Sequence, residues 1–307
     1  MKFFVQAVLA AVALCVVPAS AAPLAPAPQS VESFDVGTLH VDRYGTGKRP
    51  VVLIPGLGSG PWVWYGTIAH FSTDYSMYVL TLPGFDGRPA TAETPLFSTF
   101  ASDFNALLDG RKIERPIVVG HSLGGTLAIR LGELAPDRLR AIVAVDGLPI
   151  FPPVATLSQE QRTASAGQAA AAFASLDPAG VLASEKRFMS GFGTSDPALV
   201  DPIAALEARS DPKALAAWLQ EDVQSDFRPE LSKISIPLLE IMPYFPPDHV
   251  KPPLQFTQEQ AADYYRSLLA GAPHVTVAPL PDARHFAMLD QPDAFYAILG
   301  PFLAANF

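Results

Sequence analysis

A single cysteine, Cys15, occurs in 307 residues, and this excludes both a disulfide scaffold and a Cys/His zinc cluster. Charge is sparse as well: Asp, Glu, Lys and Arg make up 17% of the chain, and 21 basic against 30 acidic residues give a formal net charge of -9. No Lys/Arg-rich block supplies the counterion-release footprint of a nucleic-acid binder, so no nucleic-acid partner is expected. There is no H-E-x-x-H segment, no G-x-G-x-x-G with a ribose-binding acid, and no phosphate-cradling loop. Neither a metal nor a cofactor is therefore expected. After the first residues, no apolar run is long enough to cross a bilayer.

What the chain does have is 49% apolar residues, enough for a substantial core, and 31 prolines, against an ordinary usage of about 5%. The prolines fall at turns and between segments, so the chain reads as globular with many sharp connections. The first residues form a separate case. Lys2 precedes an apolar run, Phe3 to Val17, that is short for a bilayer span, and Pro18-Ala-Ser-Ala21 offers small residues at a cleavage spacing. These features predict a secretory signal peptide over 1–21, cut after Ala21, and an exported protein of the periplasm or medium with no stable membrane insertion afterwards. Cleavage would remove Cys15, leaving the core alone to hold the fold. A Pro/Ala linker over 22–30 follows.

From residue 31 the patterning becomes regular. Alternation around Val36-Gly37 suggests a hairpin over Val31 to Tyr44. Four short, uniformly apolar runs, Val51 to Ile54, Met77 to Leu82, Pro116 to Val119 and Ala141 to Val145, have the composition of strands buried on both faces. Helical spacing covers Phe97 to Leu108 and Leu123 to Leu134. Strand–helix alternation with buried strands predicts a mostly parallel sheet with helices on both faces. Between 148 and 233 the chain is Ala-rich and helical, broken at four Asp-Pro pairs (Asp177, Asp196, Asp201 and Asp211), each able to end one helix and cap the next. Strand patterning resumes at Ile236 to Met242 and Val275 to Leu280, with helices over Thr257 to Ala270 and Gln291 to Leu303. The expected layout is a core of 31–147 and 234–307 with a helical cap, 148–233, inserted between strands.

The chemistry concentrates at Gly120-His-Ser-Leu-Gly-Gly125. About 0.1 G-x-S-x-G matches are expected by chance in a chain of this length, so the setting decides its weight. Here it joins the end of a strand pattern to the start of a helix pattern, where small flanking residues allow a tight turn that holds Ser122 strained and exposed above the sheet. The following helix start adds partial positive charge to any developing oxyanion.

With these segments in hand, the chain resembles the α/β-hydrolase fold family over nearly all of residues 22–307. The pieces that carry the resemblance are Val51 to Gly60 with Trp62 and Trp64 after it, Leu82-Pro-Gly-Phe85, Gly120 to Gly125, and Arg284-His-Phe-Ala-Met-Leu-Asp-Gln-Pro292, in the family's order. The resemblance implies Ser122 as nucleophile and oxyanion-hole amides at Leu57 and Leu123. Pro55-Gly56 stands where many relatives carry His-Gly, a change of side chain that leaves the amide in place. Of six histidines, His285 follows the last strand pattern and is assigned general base.

The acid stays open between two positions. Relatives commonly place it past the strand read here as Ile236 to Met242, where Asp248 lies two residues beyond the usual place; others, haloalkane dehalogenases among them, use the end of the preceding strand, which is Asp146 here. Asp146 is preferred and Asp248 is the alternative, with Asp282 a third carboxylate nearby in sequence. Trp62, Trp64, Phe151 and Phe188, with Phe173, Phe192 and Phe245, are expected at an apolar substrate pocket. The reading is a serine hydrolase cleaving esters of small to medium apolar acyl groups. A thioesterase or lactonase, a carbon–carbon bond hydrolase, a cofactor-free haloperoxidase and a non-hydrolytic small-molecule binder share the same frame.

Overall fold

The structure, a computed structural model, describes residues 24–249 and 255–307. The signal peptide expected over 1–21 lies outside the described residues. Eight strands share one sheet: β1 (Glu32–Val36), β2 (Leu39–Tyr44), β3 (Arg49–Ile54), β4 (Tyr75–Thr81), β5 (Ile117–His121), β6 (Ala141–Val145), β7 (Leu238–Tyr244) and β8 (Val275–Pro281). Their spatial order is β1-β2-β4-β3-β5-β6-β7-β8. The β1–β2 hairpin is antiparallel and pairs antiparallel with β4; every later pair is parallel.

The buried apolar runs explain this arrangement. Every residue of β5 and of β6 is buried, as a parallel strand covered on both faces requires. Alternate residues then serve two separate cores. Val52, Ile54, Val118, Ile142 and Ala144 point to one face, and Val51, Leu53, Val119, Val143 and Val145 to the other. The first face is covered by α2 (Leu96–Arg111), α3 (Leu123–Leu134) and α8 (Gln258–Leu268), the second by α1 (Tyr65–Phe71) and α10 (Pro292–Ala305). Helix α1 carries His70 in its last turn. β7 ends two residues later than its pattern suggested, and Pro243 falls inside it. Its pairing with β6 stops at Ile241, so the N–H that Pro243 lacks costs no bond on that side.

Between β6 and β7 lie α4 (Gln159–Ala174), α5 (Pro178–Phe188), α6 (Pro197–Glu207) and α7 (Pro212–Gln224), and α9 (Ala287–Asp290) precedes the last helix. Three of the four Asp-Pro pairs act as expected. Asp177 accepts from the Gly180 amide, Asp196 from Ala198, and Asp211 from both Lys213 and Ala214, with proline at the first helical position each time. Asp201-Pro202 departs from the expectation: it sits inside α6 rather than at a break. Proline there forfeits one backbone bond, but buried Leu199, Ile203 and Ala204 hold the helix through it. Among the described residues, no helix is long and apolar enough to cross a membrane.

Capping and surface carboxylates should therefore separate in unfolding experiments. Asp211→Ala removes an acceptor for two amides and is expected to cost about 1 kcal/mol. Asp201→Ala removes only an exposed pair with Lys186 and should stay within about 0.5 kcal/mol of the parent. Urea denaturation of both variants checks this; equal losses would refute the capping assignment.

Candidate active site

β5 delivers the chain into Ser122 at φ 54 and ψ -123, a left-handed setting that non-glycine residues rarely adopt. The turn is fixed from both sides. The Ser122 amide donates to the Val145 carbonyl at 2.9 Å, and the Ser122 carbonyl accepts from Gly125 at 2.8 Å and Thr126 at 3.0 Å. A Cβ on Gly124 would overlap the Ile54 carbonyl oxygen, and one on Gly125 would lie 2.8 Å from the Gly147 Cα. The glycines after the serine thus let α3 start flush against the ends of β3 and β6. Sequence reasoning anticipated the small residues without knowing which neighbours demanded them.

His285 follows β8. Its Nδ1 lies 2.6 Å from Asp146 Oδ2, so in the neutral ring Nδ1 donates and Nε2 is left as the acceptor. Asp146 itself occupies φ 51 just past β6, with its amide donating to the Ile241 carbonyl at 3.1 Å. Its other carboxylate oxygen accepts from the Tyr265 hydroxyl. Burial works against ionisation of Asp146, yet the bonds from His285 and Tyr265 prevail and hold the carboxyl below the usual carboxylate range. It is accordingly ionised at neutral pH.

The two acid candidates of the sequence are separated by this geometry. Asp248, on the turn after β7, receives both Nε and an Nη of Arg284 at 2.8 and 2.6 Å. Arg284 further donates to the carbonyls of Ser190 and Thr194 at 2.9 and 3.1 Å. Asp248 therefore braces the residue before His285, and Asp146 meets the imidazole. β7 runs from Leu238 to Tyr244, two residues further along the chain than the apolar pattern, and this matches the two-residue displacement of Asp248. Asp282 adopts φ 59 in the turn after β8 and meets no imidazole; its carbonyl accepts from Ser195 and Gln291.

His121, beside the serine, is buried and donates from Nε2 to the His285 carbonyl at 2.9 Å. Burial, with the neighbouring His285 ring adding to it, pushes its pKa down to about 3, so the ring is neutral. It supports the backbone of the His285 loop.

Ser122, His285 and Asp146 share one cavity of about 770 Å³ with Leu57 and Leu123. The amides of Leu57 and Leu123 have no protein acceptor among the described residues. Of the expected pocket residues, Phe151 and Phe188 line this cavity, as do Phe173, Phe192 and Phe245. Trp62 and Trp64 do not, and the expectation is corrected: both are buried in the core beneath α1, where Trp62 stacks on Phe286 with ring centroids 6.0 Å apart. Large aromatics following a strand served packing rather than the pocket.

Two features escaped the sequence reading. Tyr265 was one, although a signal existed: the Thr257/Gln260 capping box fixes the start of α8, and helical spacing from Ala261 and Ala262 puts position 265 on the inward face. The other is a pair of buried carboxyls at the cavity wall, Glu185 and Glu207. Their helices give no cue, because charged residues on an amphipathic segment ordinarily face water.

Comparison with known proteins bears on the whole arrangement. The alpha/beta hydrolase family model matches residues 51–298. A pimeloyl-[acyl-carrier protein] methyl ester esterase of Aeromonas hydrophila is 24% identical over 220 residues, covering 66% of this chain and 79% of the esterase. The 3-oxoadipate enol-lactonase 2 of Acinetobacter baylyi is 25% identical over 261 residues, 84% of this chain and 90% of the lactonase. Among solved structures, a thermophilic esterase from Thermogutta terrifontis superposes with a TM-score of 0.71 at 17% identity, covering 89% of this chain and 98% of that one. The family match spans both the Ser122 turn and the His285 loop, and the eight-stranded, mostly parallel sheet agrees with it: the chain belongs to the alpha/beta hydrolase family.

Proposed function

We propose that the protein is a serine hydrolase that cleaves carboxylic esters of small to medium apolar acyl groups through an acyl-enzyme. The observation that carries this reading is the meeting, in one apolar-walled cavity, of a serine held at positive φ with an imidazole already bonded to an ionised aspartate. In the proposed reaction, Ser122 Oγ attacks the ester carbonyl carbon while its proton passes to His285 Nε2. The carbonyl oxygen takes up negative charge and is met by the Leu57 and Leu123 amides, the second at the start of α3. Collapse of the tetrahedral species breaks the bond to the alkoxy oxygen, which leaves with the proton from His285. Water, deprotonated by the same imidazole, then attacks the acyl-enzyme and frees Ser122.

Asp146 holds the Nδ1–H tautomer and steadies the imidazolium formed at each proton transfer. The acyl group is assigned to the wall of Phe151, Phe173 and Phe188, supplied largely by the inserted 148–233 segment, which we read as the cap. That relatives are a methyl ester esterase and an enol-lactonase supports ester-type bonds as the substrate class. We also read the protein as exported, on the strength of the 1–21 segment.

Intact-mass measurement after treatment with a phosphonate or sulfonyl fluoride should show one adduct, at Ser122, and Ser122→Ala should abolish both adduct and p-nitrophenyl ester turnover. Full turnover in that variant would end the serine-hydrolase reading. For the acid, Asp146→Asn is expected to lower kcat by about 10⁴, whereas Asp248→Asn keeps most activity because it braces Arg284 and not the imidazole. The opposite order of kcat values, at unchanged melting temperatures, would move the acid to the turn after β7.

A further inference from the structure

The loop that carries Leu57 is held by the cap through side chains that the proposed reaction does not use. Ser59, fully buried, donates from Oγ to Glu207 Oε1 at 2.5 Å. Ser210 donates from its own hydroxyl to the Gly58 carbonyl at 2.7 Å and accepts from the Asp86 amide at 3.0 Å. Both ties come from the end of α6 and the residues just after it, and both land within two residues of Leu57.

The loop geometry makes those ties consequential. The Ser59 amide donates to the Gly56 carbonyl at 3.1 Å, closing a tight turn with Leu57 and Gly58 at its centre and Gly58 at φ 75. Within such a turn the direction of the Leu57 N–H follows from the placement of residues 58 and 59. That amide has no acceptor of its own among the described residues, so nothing but the turn and its anchors aims it.

Glu207 is a costly anchor. It is 3% exposed and faces Glu185 of α5, 7% exposed, with no cation paired to either among the described residues. Burial raises both carboxyls; Glu185 raises Glu207 further, to well above the usual carboxylate range. Glu207, raised the more strongly, is the member that holds a proton toward Glu185 while its Oε1 accepts from Ser59. A neutral acid can do both at once, whereas an apolar residue could do neither.

We infer that Glu207, with Ser59 and Ser210, is a positioning residue that sets the Leu57 amide for the developing oxyanion. The assignment rests on the serine-hydrolase reading above. An oxyanion donor acts on the tetrahedral species rather than on bound ester, so disturbing its anchor lowers kcat and leaves KM nearly alone.

Steady-state kinetics on a p-nitrophenyl ester that the wild-type protein turns over, with Ser122→Ala as reference, test this. Ser59→Ala and Glu207→Leu are each expected to lower kcat by about 10- to 100-fold, less than the 10²–10³ for outright loss of a donor, with KM changed by less than about threefold. Glu207→Gln should stay within about threefold of wild type, because the carboxamide donates to Glu185 and accepts from Ser59. Should Glu207→Leu fail to fold, Ser59→Ala and Ser210→Ala carry the comparison, each checked for an unchanged melting temperature. A wild-type kcat in Ser59→Ala, a Glu207→Gln protein as slow as Glu207→Leu, or a rise in KM with kcat preserved would overturn the assignment and make the pair a pocket wall. Those results, set beside a dead Ser122→Ala, overturn this inference alone; turnover surviving in Ser122→Ala overturns the reading beneath it.

Discussion

Backbone touching backbone at the strand ends is the constraint on which the site depends. Gly124 lies against the Ile54 carbonyl and Gly125 against Gly147, so the end of β3, the Ser122 turn and the Asp146 turn are packed with no side chain between them. Contacts of this kind have no rotamer to adjust. They transmit position among the three loops directly, which is how a serine at an unfavourable φ can be kept there: the surrounding backbone leaves it no lower-energy alternative. The Ser122 and Asp146 amides, donating to Val145 and Ile241, extend the same constraint across β5, β6 and β7.

The segment between β6 and β7 is stitched to this frame. His285 and Phe286 donate their amides to the carbonyls of Phe192 and Gly193 at 3.2 and 2.8 Å, and the Asp290 carboxylate accepts from the Thr194 hydroxyl and the Ser195 amide. Net contributions of about 0.5–1.5 kcal/mol per bond are individually modest, yet they bind the histidine loop to the segment that carries Phe188 and Phe192. Cavity wall and imidazole are thereby coupled, and a change in one will be felt by the other more than their distance in sequence suggests.

Behind the imidazole the protein controls charge by burial. Asp146 keeps its negative charge because His285 and Tyr265 both donate to it. Glu240, fully buried on β7, has the reverse fate: burial, with the nearby Asp146 charge adding to it, raises it well above the usual carboxylate range, so it stays neutral. A second anion is thus kept away from the one that orients the ring. Burial likewise raises Glu185 and Glu207 at the cavity wall.

The sheet, the turn at Ser122 and the place of His285 after the last strand were legible in the sequence because each rests on local constraints. Short, uniformly apolar runs suit strands covered on both faces, a G-x-S-x-G between strand and helix suits a tight turn, and Asp before Pro is a cap wherever the next residues are free to start a helix. Asp201-Pro202 shows the limit of that locality, since burial of Leu199, Ile203 and Ala204 overrode the break. Which aspartate meets His285 could not be read from the chain, because Asp146 and Asp248 each follow a strand and differ only in which long-range partner reaches them, an imidazole or a guanidinium. Trp62 and Trp64 looked like pocket residues until packing placed them under α1. Tyr265, Glu185 and Glu207 belong to the site only through neighbours between 22 and 148 residues away along the chain. The sequence by itself determined which backbone shapes were affordable; tertiary structure decided which buried polar groups meet, since an unpaired buried charge is penalised only once the surrounding segments have closed over it.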